Sequence, residues 1–342
     1  MTDTDALRRL AAATTLVTVT YADRIHFLGE LLRRAFDQEG MERAVIVSNA
    51  SRSNLALLEE KWGSRVQIIR LTENTGSANG YAVGIQAALD GGAHYLWLMD
   101  DDNAPKQGAL AVLHEQLERN SAKLGASHAA VLGFRRDHQA DIAAGVPMAM
   151  AIPPRSSFLG FHYRQIPFKV WRRICLWPYA TKGLPERVAL PYGPYGGLLA
   201  ARQLFENIGL PKREFVLYAD DTEYTYRITA SGGAVELICP AELDDLEGSW
   251  NLKSRYRNSF LGWLMGGSDL RAFYGARNQV WFDQNVWLTS RFEYRLNQAI
   301  YIGLLCLISL RVGRAPRLRL LRRAISCGRA STLGVDSKFT LS

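Results

Sequence analysis

Two hydrophobic patterns alternate along the first two thirds of the 342-residue chain. Short apolar or β-branched runs, typical of buried strands, are followed by segments with helical spacing that often end in glycine. The strand-like runs occupy residues 14–24, 43–51, 65–74, 94–99 and 128–137. The helix-like segments between them occupy residues 27–40, 54–63, 76–92 and 105–120. Because strand–helix alternation favours a mostly parallel sheet covered by helices, the pattern predicts an α/β fold.

The pattern changes after this region and divides the chain. Residues 150–190 are irregular, basic and aromatic, whereas residues 192–242 again show a strand, a helix, a turn, an acidic helix and a strand. The remainder has helical spacing. We therefore predict an α/β domain at residues 1–250 with a basic, aromatic insert at about 150–190, followed by a helical region at residues 251–342.

The charge balance suggests an anionic partner, since the net charge is +8 and the pI is about 9.4. Basic residues concentrate in the insert and again after the apolar run from Ala299 to Leu310. That run is shorter than the roughly 20 residues that a helix needs to span a bilayer. An apolar run followed by arginines favours a helix lying on an anionic membrane surface. A buried helix with a solvated basic tail is the alternative.

Cysteine usage and the N-terminal residues point to the cytoplasm. The four cysteines are far apart and none forms a C-x-x-C pair, so neither zinc nor a disulfide framework is expected. The first ten residues contain acids and no apolar core, so no signal peptide is expected. Nucleic acid is not an expected partner because no nucleic-acid-binding motif is recognisable.

Three consecutive acids end one of the buried strands, in the stretch HYLWLMDDDNAP. Asp100, Asp101 and Asp102 follow five apolar residues, and ligands of open α/β sheets bind at the carboxyl ends of strands. Adjacent carboxylates repel one another, and a hard divalent cation would neutralise them. The alternative is a polar loop whose acids cap the next helix.

A glycine-rich segment, NTGSANGYAVGI, precedes this strand. Gly76, Gly80 and Gly84 surround a loop-to-helix transition, where a backbone can approach a phosphate closely and the helix N-terminus favours negative charge. The segment lacks the G-K-[ST] of a Walker A loop and the G-x-G-x-x-G of a dinucleotide site. Taken alone it is a weak indication of phosphate binding.

A second acidic group lies in the stretch YADDTEYTYR. Asp220 and Asp221 would begin a helix on which Glu223 and Arg227 pair four residues apart. Simple capping at a helix N-terminus explains the two aspartates as well. Together with the glycine-rich loop and the three acids, however, they form a set able to hold a nucleotide diphosphate and to deprotonate an attacking hydroxyl.

The order of these segments resembles the family 2 glycosyltransferases of the GT-A fold, and within them the bacterial rhamnosyl- and galactofuranosyltransferase branches. VTVTYADR resembles the opening nucleotide-binding strand, and VIVSNAS the second strand. ENTGSANGYAVGI resembles the glycine-containing loop, and LMDDDNAP the metal-binding D-x-D element. GPYGGLLAARQLFENIGLPKREFVLYADDTEYTYR resembles the acceptor-side segment with the catalytic base, and YGARNQVW a later Tyr/Arg-Asn element. The resemblance covers roughly residues 14 to 282.

The resemblance implies a role for each matching residue. Asp100 and Asp102 would coordinate Mn²⁺ or Mg²⁺, and Asp245 stands where a further metal-ligating histidine is often found. Asp221 would be the general base of an inverting displacement, with Asp220 supporting it or contacting the acceptor. The nucleotide side of the site would be formed by Asp101 together with Thr20, Asn49, Asn74, Gly76 and Gly80. Ser48 replaces an aspartate that the second strand usually carries, which leaves the nucleobase undefined.

The implied activity is metal-dependent transfer of a sugar from a nucleotide diphosphate donor to a hydroxyl of a growing or polyprenyl-diphosphate-linked glycan. Galactofuranose from a uridine diphosphate donor is favoured, and rhamnose from a thymidine diphosphate donor is nearly level. The insert would shape the acceptor side, and the C-terminal segments would hold the enzyme on the cytoplasmic face of the membrane.

Two other classes of protein are weighed against this reading. A nucleotidyltransferase would show a basic, glycine-rich signature near the first strand, which VTVTYADR lacks. A non-catalytic nucleotide-binding membrane module would not need the acids that this chain retains at Asp100, Asp102 and Asp221.

Overall fold

A single mixed sheet organises the computed structural model, which describes residues 3–174, 183–247 and 258–341. Nine strands are described in these ranges and pair in the order β3-β2-β1-β4-β8-β6-β9-β5, with β7 also paired to β9. Their bounds are β1 Thr14–Thr20, β2 Arg43–Asn49, β3 Val66–Leu71, β4 Tyr95–Asp100, β5 Asn103–Pro105, β6 Ala129–Phe134, β7 Arg187–Leu190, β8 Leu198–Ala201 and β9 Ala234–Asp245.

Most of the described strands run in one direction. β3, β2, β1 and β4 are parallel neighbours, and β6 and β9 run the same way on the far side of β8, which is antiparallel to both of its neighbours. β5 and β7 are antiparallel to β9. The predicted mostly parallel α/β sheet with a C-terminal helical segment is confirmed.

Helices cover the sheet and form the C-terminal region. Before the insert they are α1 Asp3–Ala12, α2 Ile25–Arg33, α3 Ala56–Trp62, α4 Ser77–Asp90 and α5 Ala109–Leu124. The next five are α6 Ala140–Ala143, α7 Met148–Ala151, α8 Ile166–Ile174, α9 Arg202–Ile208 and α10 Asp220–Ala230. The C-terminal ones are α11 Ser259–Met265, α12 Asp269–Asn285, α13 Arg291–Val312 and α14 Ala315–Arg329.

The apolar runs of the sequence form the buried centre of this sheet. Leu96, Trp97, Leu98 and Met99 of β4 are fully buried because both faces of the strand are covered. The predicted strands and helices up to β6 are all present, with ends that differ by a few residues. The pattern did not predict α1, nor the short strands β5 and β7, which are too short for a clear alternation.

The first part of the predicted insert packs on the C-terminal helices. Phe158 and Leu159 are buried in one apolar cluster with residues of α12, α13 and α14. The backbone N–H of Ser156 donates to the carbonyl of Trp287 at 2.9 Å. Residues 175–182 of the insert and the predicted domain boundary near residue 250 lie outside the described residues, so the domain division stays a prediction.

The helix α13 is longer than the apolar run that marks it in the sequence. It begins at Arg291 and has 22 residues, so by length and composition it could cross a membrane, in contrast to the expectation that the run is too short. The reason is that the turns before Ala299 continue the same helix. One face packs inward through Tyr294, Asn297, Tyr301, Leu305 and Ser309.

Candidate functional site

The carboxyl ends of the parallel strands meet at one acidic edge of the sheet. Asp100 is the last residue of β4, and Asp101 and Asp102 form the turn into β5. Asp245 is the last residue of β9 and pairs with Asn103 of β5. The short β5–β9 ladder therefore brings Asp245, from a distant part of the sequence, beside the acids that follow β4.

Arg24, in the loop after β1, binds this acidic turn from one side. Its Nε donates to Asp101 Oδ1 at 3.0 Å, and its Nη2 donates to Asp102 Oδ2 at 2.6 Å and to Glu247 Oε2 at 2.9 Å. Arg24 is 7% exposed, so these charge-assisted bonds are shielded from water. The guanidinium orders two of the three consecutive aspartates.

Burial and mutual repulsion still disfavour the ionised forms of these acids. Burial raises the pKa of Asp101 to about 6 despite the opposing effect of Arg24. The pKa of Asp102 rises to about 7, through burial first and then through the negative charges of Asp100, Asp101 and Asp245. The turn therefore holds more negative charge than Arg24 alone neutralises.

Arg135, in the loop after β6, binds the acidic edge from the other side. Its Nη1 donates to Asp100 Oδ2 at 2.8 Å and to Asn103 Oδ1 at 2.7 Å. The hydroxyl of Tyr81, on α4, donates to the other oxygen of Asp100 at 3.0 Å. Asp100 is thus held by two buried donors while its carboxylate remains partly exposed.

A histidine lies beside the acid that ends β9. His138 Nε2 is 3.6 Å from Asp245 Oδ2, and burial lowers the pKa of His138, so the neutral ring is favoured. The structure places His138, which follows β6 and belongs to none of the sequence motifs, at the acidic edge.

The donor set at this edge fits a hard divalent cation, although the ligands are not arranged around one position. Within the described ranges, no three His, Cys, Asp or Glu side chains form a ready-made metal site. Four carboxylates nevertheless pair with the guanidiniums of Arg24 and Arg135, namely Asp100, Asp101, Asp102 and Glu247, and a fifth, Asp245, is close enough to raise the pKa of Asp102. Oxygen ligands with an excess of negative charge suit Mg²⁺ or Mn²⁺.

The glycine-rich loop is held by side chains from the ends of β2 and β3. Asn49 donates through Nδ2 to the carbonyl of Gly76 at 3.0 Å and accepts through Oδ1 from the N–H of Thr75 at 2.8 Å. Asn74 Oδ1 accepts from the N–H of Gly76 at 3.1 Å. Both asparagines, predicted to contact a nucleotide, use their amides to shape the turn that begins α4.

The two glycines of this loop have different roles. Gly76 has φ +85°, and a Cβ there would lie 2.0 Å from the carbonyl oxygen of Val216, so only glycine fits the turn. A Cβ on Gly80 would lie 2.6 Å from Val19 Cγ1 of β1. The structure places Gly80 in the contact between α4 and the sheet, one turn into the helix and away from its N-terminus.

Thr20 ends β1 next to Asp101. The buried hydroxyl of Thr20 lies close enough to Asp101 to lower the pKa of that acid, although the two groups do not have hydrogen-bond geometry. Within the described ranges, neither Thr20 Oγ1 nor Asp101 Oδ2 has a hydrogen-bond partner. Unpaired buried polar atoms are costly unless a ligand or water satisfies them. Their position fits the predicted role of Thr20 and Asp101 toward a polar ligand.

A cavity of about 540 Å³ opens at the carboxyl ends of β2 and β3. Ser48 lies in its wall, at the place where the resemblance led us to expect an aspartate. The other lining residues are Ala50, Ser51, Ser53, Asn54, Leu55, Ala56, Arg70, Leu71 and Thr72. A larger cavity of about 740 Å³ lies at the amino ends of β2 and β3, where Arg43, Arg65 and Gln67 are among its lining residues. We assign the smaller cavity to the site because it opens at the carboxyl ends of the parallel strands, the end of the sheet at which the acidic turn also lies.

The second acid pair begins α10, after a backbone with several positive φ angles. Asp220 is 4% exposed, and its Oδ2 accepts from Ser77 Oγ of α4 at 2.8 Å. Asp221 is less buried, and its Oδ1 accepts from the N–H of Thr222 at 2.7 Å. The bond to Ser77 joins the acid pair to the first turn of the helix that follows the glycine-rich loop.

The pair is coupled internally and to the acidic edge. Burial and then the charge of Asp221 raise the pKa of Asp220 to about 7. Burial raises the pKa of Asp221, and Asp100 raises it further while Arg135 lowers it. The two acidic groups, about 120 residues apart in sequence, therefore lie within electrostatic range of one another.

Sequence reasoning missed the two arginines and the histidine of this site. Arg24, Arg135 and His138 each follow a buried strand whose carboxyl end reaches the acidic edge. The rule that selected the aspartates after β4 applies to these residues as well. These residues could therefore have been recognised in the sequence as basic residues that directly follow a predicted parallel strand, in VTVTYADR and in VLGFRRDH.

Comparison with known families finds a family model that matches part of this chain. Residues 15–172, a little under half of the chain, match the family model described as Glycosyl transferase family 2, and this segment contains nearly all of β1 through α8 with the acidic turn. The matched segment is thus similar to family 2 glycosyltransferases, and the mostly parallel sheet agrees with the GT-A fold implied by the resemblance. The galactofuranosyl and rhamnosyl branches are not distinguished by this match. No curated protein sequence matches the chain.

Solved glycosyltransferase structures are similar to this chain at low identity. Mannosyltransferase PcManGT from Pyrobaculum calidifontis, in complex with GDP-Man and Mn²⁺, is 15% identical with a TM-score of 0.49, over 93% of this chain and 75% of that chain. TarS 1–349 from S. aureus with UDP is 11% identical with a TM-score of 0.45, over 93% and 91%. GalNAc-T7 with UDP, GalNAc and Mn²⁺ is 13% identical with a TM-score of 0.47, over 78% of this chain but 47% of that chain. The chain thus spans about half the length of GalNAc-T7.

Proposed function

We propose that this protein is a metal-dependent inverting glycosyltransferase that moves a sugar from a nucleotide diphosphate to an acceptor hydroxyl. The observation that carries the proposal is the approach of two acidic groups within one family 2 domain fold. Asp100 and Asp102 lie at the end of β4, and Asp221 lies near enough for the charge of Asp100 to raise its pKa. Asp100 and Asp102 suit the binding of a cation, and Asp221 suits the removal of a proton from the acceptor.

The donor would lie between the glycine-rich loop and the cavity beside β2. The first turn of α4 presents backbone N–H groups that favour a phosphate. Ser48 and the polar residues around it would receive the nucleoside, with Thr20 and Asp101 on its inner side. The absence of an acid at Ser48 means that a hydroxyl, rather than a carboxylate, would meet the base or ribose there.

Mn²⁺ or Mg²⁺ would be held by Asp100, Asp102 and Asp245, with His138 beside Asp245. When bound, the cation stabilises negative charge on the departing diphosphate. Arg24 and Arg135 keep the aspartates ordered and add positive charge around the phosphates.

Asp221 would accept the proton of the acceptor hydroxyl as that oxygen attacks the anomeric carbon. It is the more exposed member of the pair, whereas Asp220 is bound to Ser77 and buried. Burial and the charge of Asp100 raise the pKa of Asp221, which makes its carboxylate a stronger base, and two adjacent carboxylates disfavour double ionisation. Asp220 therefore supports the base and does not replace it.

The proposed donor is a galactofuranosyl nucleotide, with thymidine diphosphate rhamnose as the alternative, and the acceptor is a polyprenyl-diphosphate-linked or growing glycan. The basic, aromatic insert supports the acceptor assignment. Its Arg155 stacks on Trp287 and Tyr226, next to α10. Aromatic and cationic groups together suit a glycan carrying phosphate.

The enzyme would act on the cytoplasmic face of the membrane. On α13 the outward face carries Phe292, Leu307 and Leu310, each at least 60% exposed. Helix α8 starts next to α13, where Arg164 pairs with Glu293, and it exposes Val170, Trp171 and Ile174. Two exposed apolar faces accompanied by arginines suit the interface of an anionic bilayer.

Calorimetric binding of nucleotide diphosphates tests the central proposal. We expect uridine or thymidine diphosphate to bind wild type with Mn²⁺. Binding should fall at least about tenfold after chelation or in Asp102→Ala, because a cation held by the aspartates would neutralise the charge of the diphosphate. Asp244→Ala is the matched control: Asp244 adjoins Asp245 but pairs with Arg34. Metal-independent binding, or an equal loss in the control, would contradict the metal site and favour a non-catalytic nucleotide-binding module.

A further inference from the structure

A buried pair on α12 contacts the segment that leads into the acid pair. Arg277 and Asn278 are 2% and 0% exposed, and both lie on the helix face that packs against residues 213–219. Burying a guanidinium requires that its N–H groups find acceptors. The acceptors of the Arg277 and Asn278 side chains therefore indicate the structural role of this pair.

Arg277 donates to backbone carbonyls and to its neighbour. Its Nη1 donates to the carbonyl of Gly334 at 2.6 Å, its Nη2 to that of Phe215 at 3.1 Å, and its Nε to Asn278 Oδ1 at 2.9 Å. Its guanidinium also stacks on the ring of Tyr274, with 4.7 Å between the guanidinium carbon and the ring centroid. The bond from Nε fixes the amide of Asn278, so that its N–H groups point at the segment.

Asn278 binds three carbonyls of this segment with one amide group. Its Nδ2 donates to the carbonyls of Phe215, Leu217 and Tyr218 at 2.7, 2.8 and 2.9 Å. Three carbonyls turned toward one side chain require an unusual backbone. Val216, Tyr218 and Ala219 accordingly have φ angles of +65°, +68° and +57°, which non-glycine residues rarely adopt.

The strained segment contacts both halves of the site. The carbonyl of Val216 accepts from the N–H of Ala78 at 3.2 Å and closes over Gly76. Ala219 directly precedes Asp220, whose carboxylate accepts from Ser77. The conformation that α12 holds therefore determines where the glycine-rich turn and the acid pair lie relative to one another.

We propose that Arg277 and Asn278 are positioning residues, which hold segment 213–219 so that Asp221 faces the donor bound at the glycine-rich turn. Neither residue touches the reacting atoms. The catalytic consequence rests on the proposed function, whereas the structural consequence does not. The C-terminal helical region is thereby part of the transferase site and not only a membrane-binding appendage.

Hydrogen exchange on the full-length protein tests the structural part. Asn278→Asp keeps the volume and the acceptor for Arg277 Nε but offers no N–H to the three carbonyls. We expect faster exchange in peptides covering residues 213–223 and 76–80. Asn297→Asp is the matched control, because Asn297 is equally buried and donates to the carbonyl of Ser156 at 2.9 Å. Its faster exchange should be confined to residues 156–163.

Steady-state kinetics test the catalytic part. We expect kcat of Asn278→Asp to fall by about tenfold to a hundredfold, as for a base displaced by a fraction of a bond length. The variant also leaves buried carbonyls unpaired and should have a lower thermal midpoint, so both kcat values are measured at a temperature at which the variant is fully folded. Unchanged exchange at residues 213–223 overturns the proposal, and so does faster exchange with wild-type kcat. If wild type transfers no sugar from any donor, the proposed function fails, but the exchange result still decides whether α12 positions the segment.

Discussion

At the scale of single residues, the site is a balance between five carboxylates and two arginines. Arg24 binds Asp101 and Asp102, and Arg135 binds Asp100. Both arginines are buried, so their charges act through a medium less polarisable than water. Arg24 consequently orders Asp101 and Asp102 while their pKa values remain raised, which leaves these two acids ready to accept further positive charge.

Asp220→Asn should move the pH dependence of transfer. In wild type the limb on which kcat rises with pH reports ionisation of the acid pair, and the pKa of Asp220 is about 7. Removing the neighbouring negative charge lowers the pKa of Asp221, so the base ionises at lower pH and the rising limb shifts to lower pH. The measurement is log kcat against pH at saturating donor.

The companion variant Asp221→Asn tests which of the two aspartates is the general base. We expect it to lower kcat by about 10²- to 10⁴-fold across the whole pH range, since no carboxylate is left to take the proton. If Asp220→Asn is the inactive variant and Asp221→Asn retains a shifted profile, the roles of the two aspartates are reversed.

At the scale of elements, α12 carries a buried acid five residues beyond Asn278. Asp283 is 1% exposed, and its two oxygens accept from the N–H of Leu159 and from Gln279 Nε2, each at 2.8 Å. Burial raises its pKa to about 7. The same helix thus anchors the start of the insert through Asp283 and segment 213–219 through Asn278.

Asp283→Asn should remove one source of pH-dependent stability. An unfolded aspartate ionises near its ordinary pKa of 3.8. Between that value and about 7, the folded state therefore binds the extra proton, and wild type loses stability as pH rises through this window. Relative to wild type, the unfolding free energy of the variant should rise by about 1–3 kcal/mol between pH 5 and pH 8.

Urea unfolding at the two pH values measures this difference. The other raised carboxyls, including Asp101 and Asp220, are present in both proteins, so their effects cancel in the comparison. Parallel pH dependence in variant and wild type would show that Asp283 ionises in the folded state as it does in the unfolded chain.

Helix α13 buries several polar side chains, including Asn297 and Ser309, and exposes part of its apolar side chains. Replacing Leu307 and Leu310 together by glutamate removes exposed apolar surface and adds negative charge, without touching the buried face at Tyr301 and Leu305. We expect the full-length variant to bind vesicles of anionic phospholipid at least about tenfold more weakly in a flotation assay. Glutamate at Ser326 and Arg329, exposed on α14, is a control for added charge elsewhere. Equal binding by wild type and the Leu307/Leu310 variant would contradict the membrane surface.

This surface does not use every arginine of the C-terminal cluster. Arg317 is 8% exposed and donates to the carbonyls of Trp263 and Gly266 and to Asp269, so it fastens α14 to α11 and α12. Arg323 pairs with Asp336. Arg311, Arg314, Arg319 and Arg322 are the exposed members that remain for a lipid surface.

At the scale of the whole molecule, the sequence predicted what depends on local pattern. The strand β4 and the acids after it could be located because an apolar run and its end are adjacent in sequence. Asp245 was assigned to the site through the family resemblance alone. The β5–β9 pairing that brings it close to Asp102 cannot be recognised from the local sequence of either strand. The bonds from Arg24 to Asp101 and from Asn278 to Phe215 join residues 77 and 63 positions apart, and hydrophobic periodicity carries no information about such contacts.

The position of Val216 over Gly76 has a consequence for how the protein folds during synthesis. Residues 15–172, which match the family model, contain the glycine-rich turn but neither Val216, which covers it, nor Asn278, which holds Val216's neighbours. During synthesis the chain emerges N-terminal end first, so these partners reach the ribosome's exit long after the turn does. The nascent sheet can form early, but the candidate site matures only as the last quarter of the polypeptide is made.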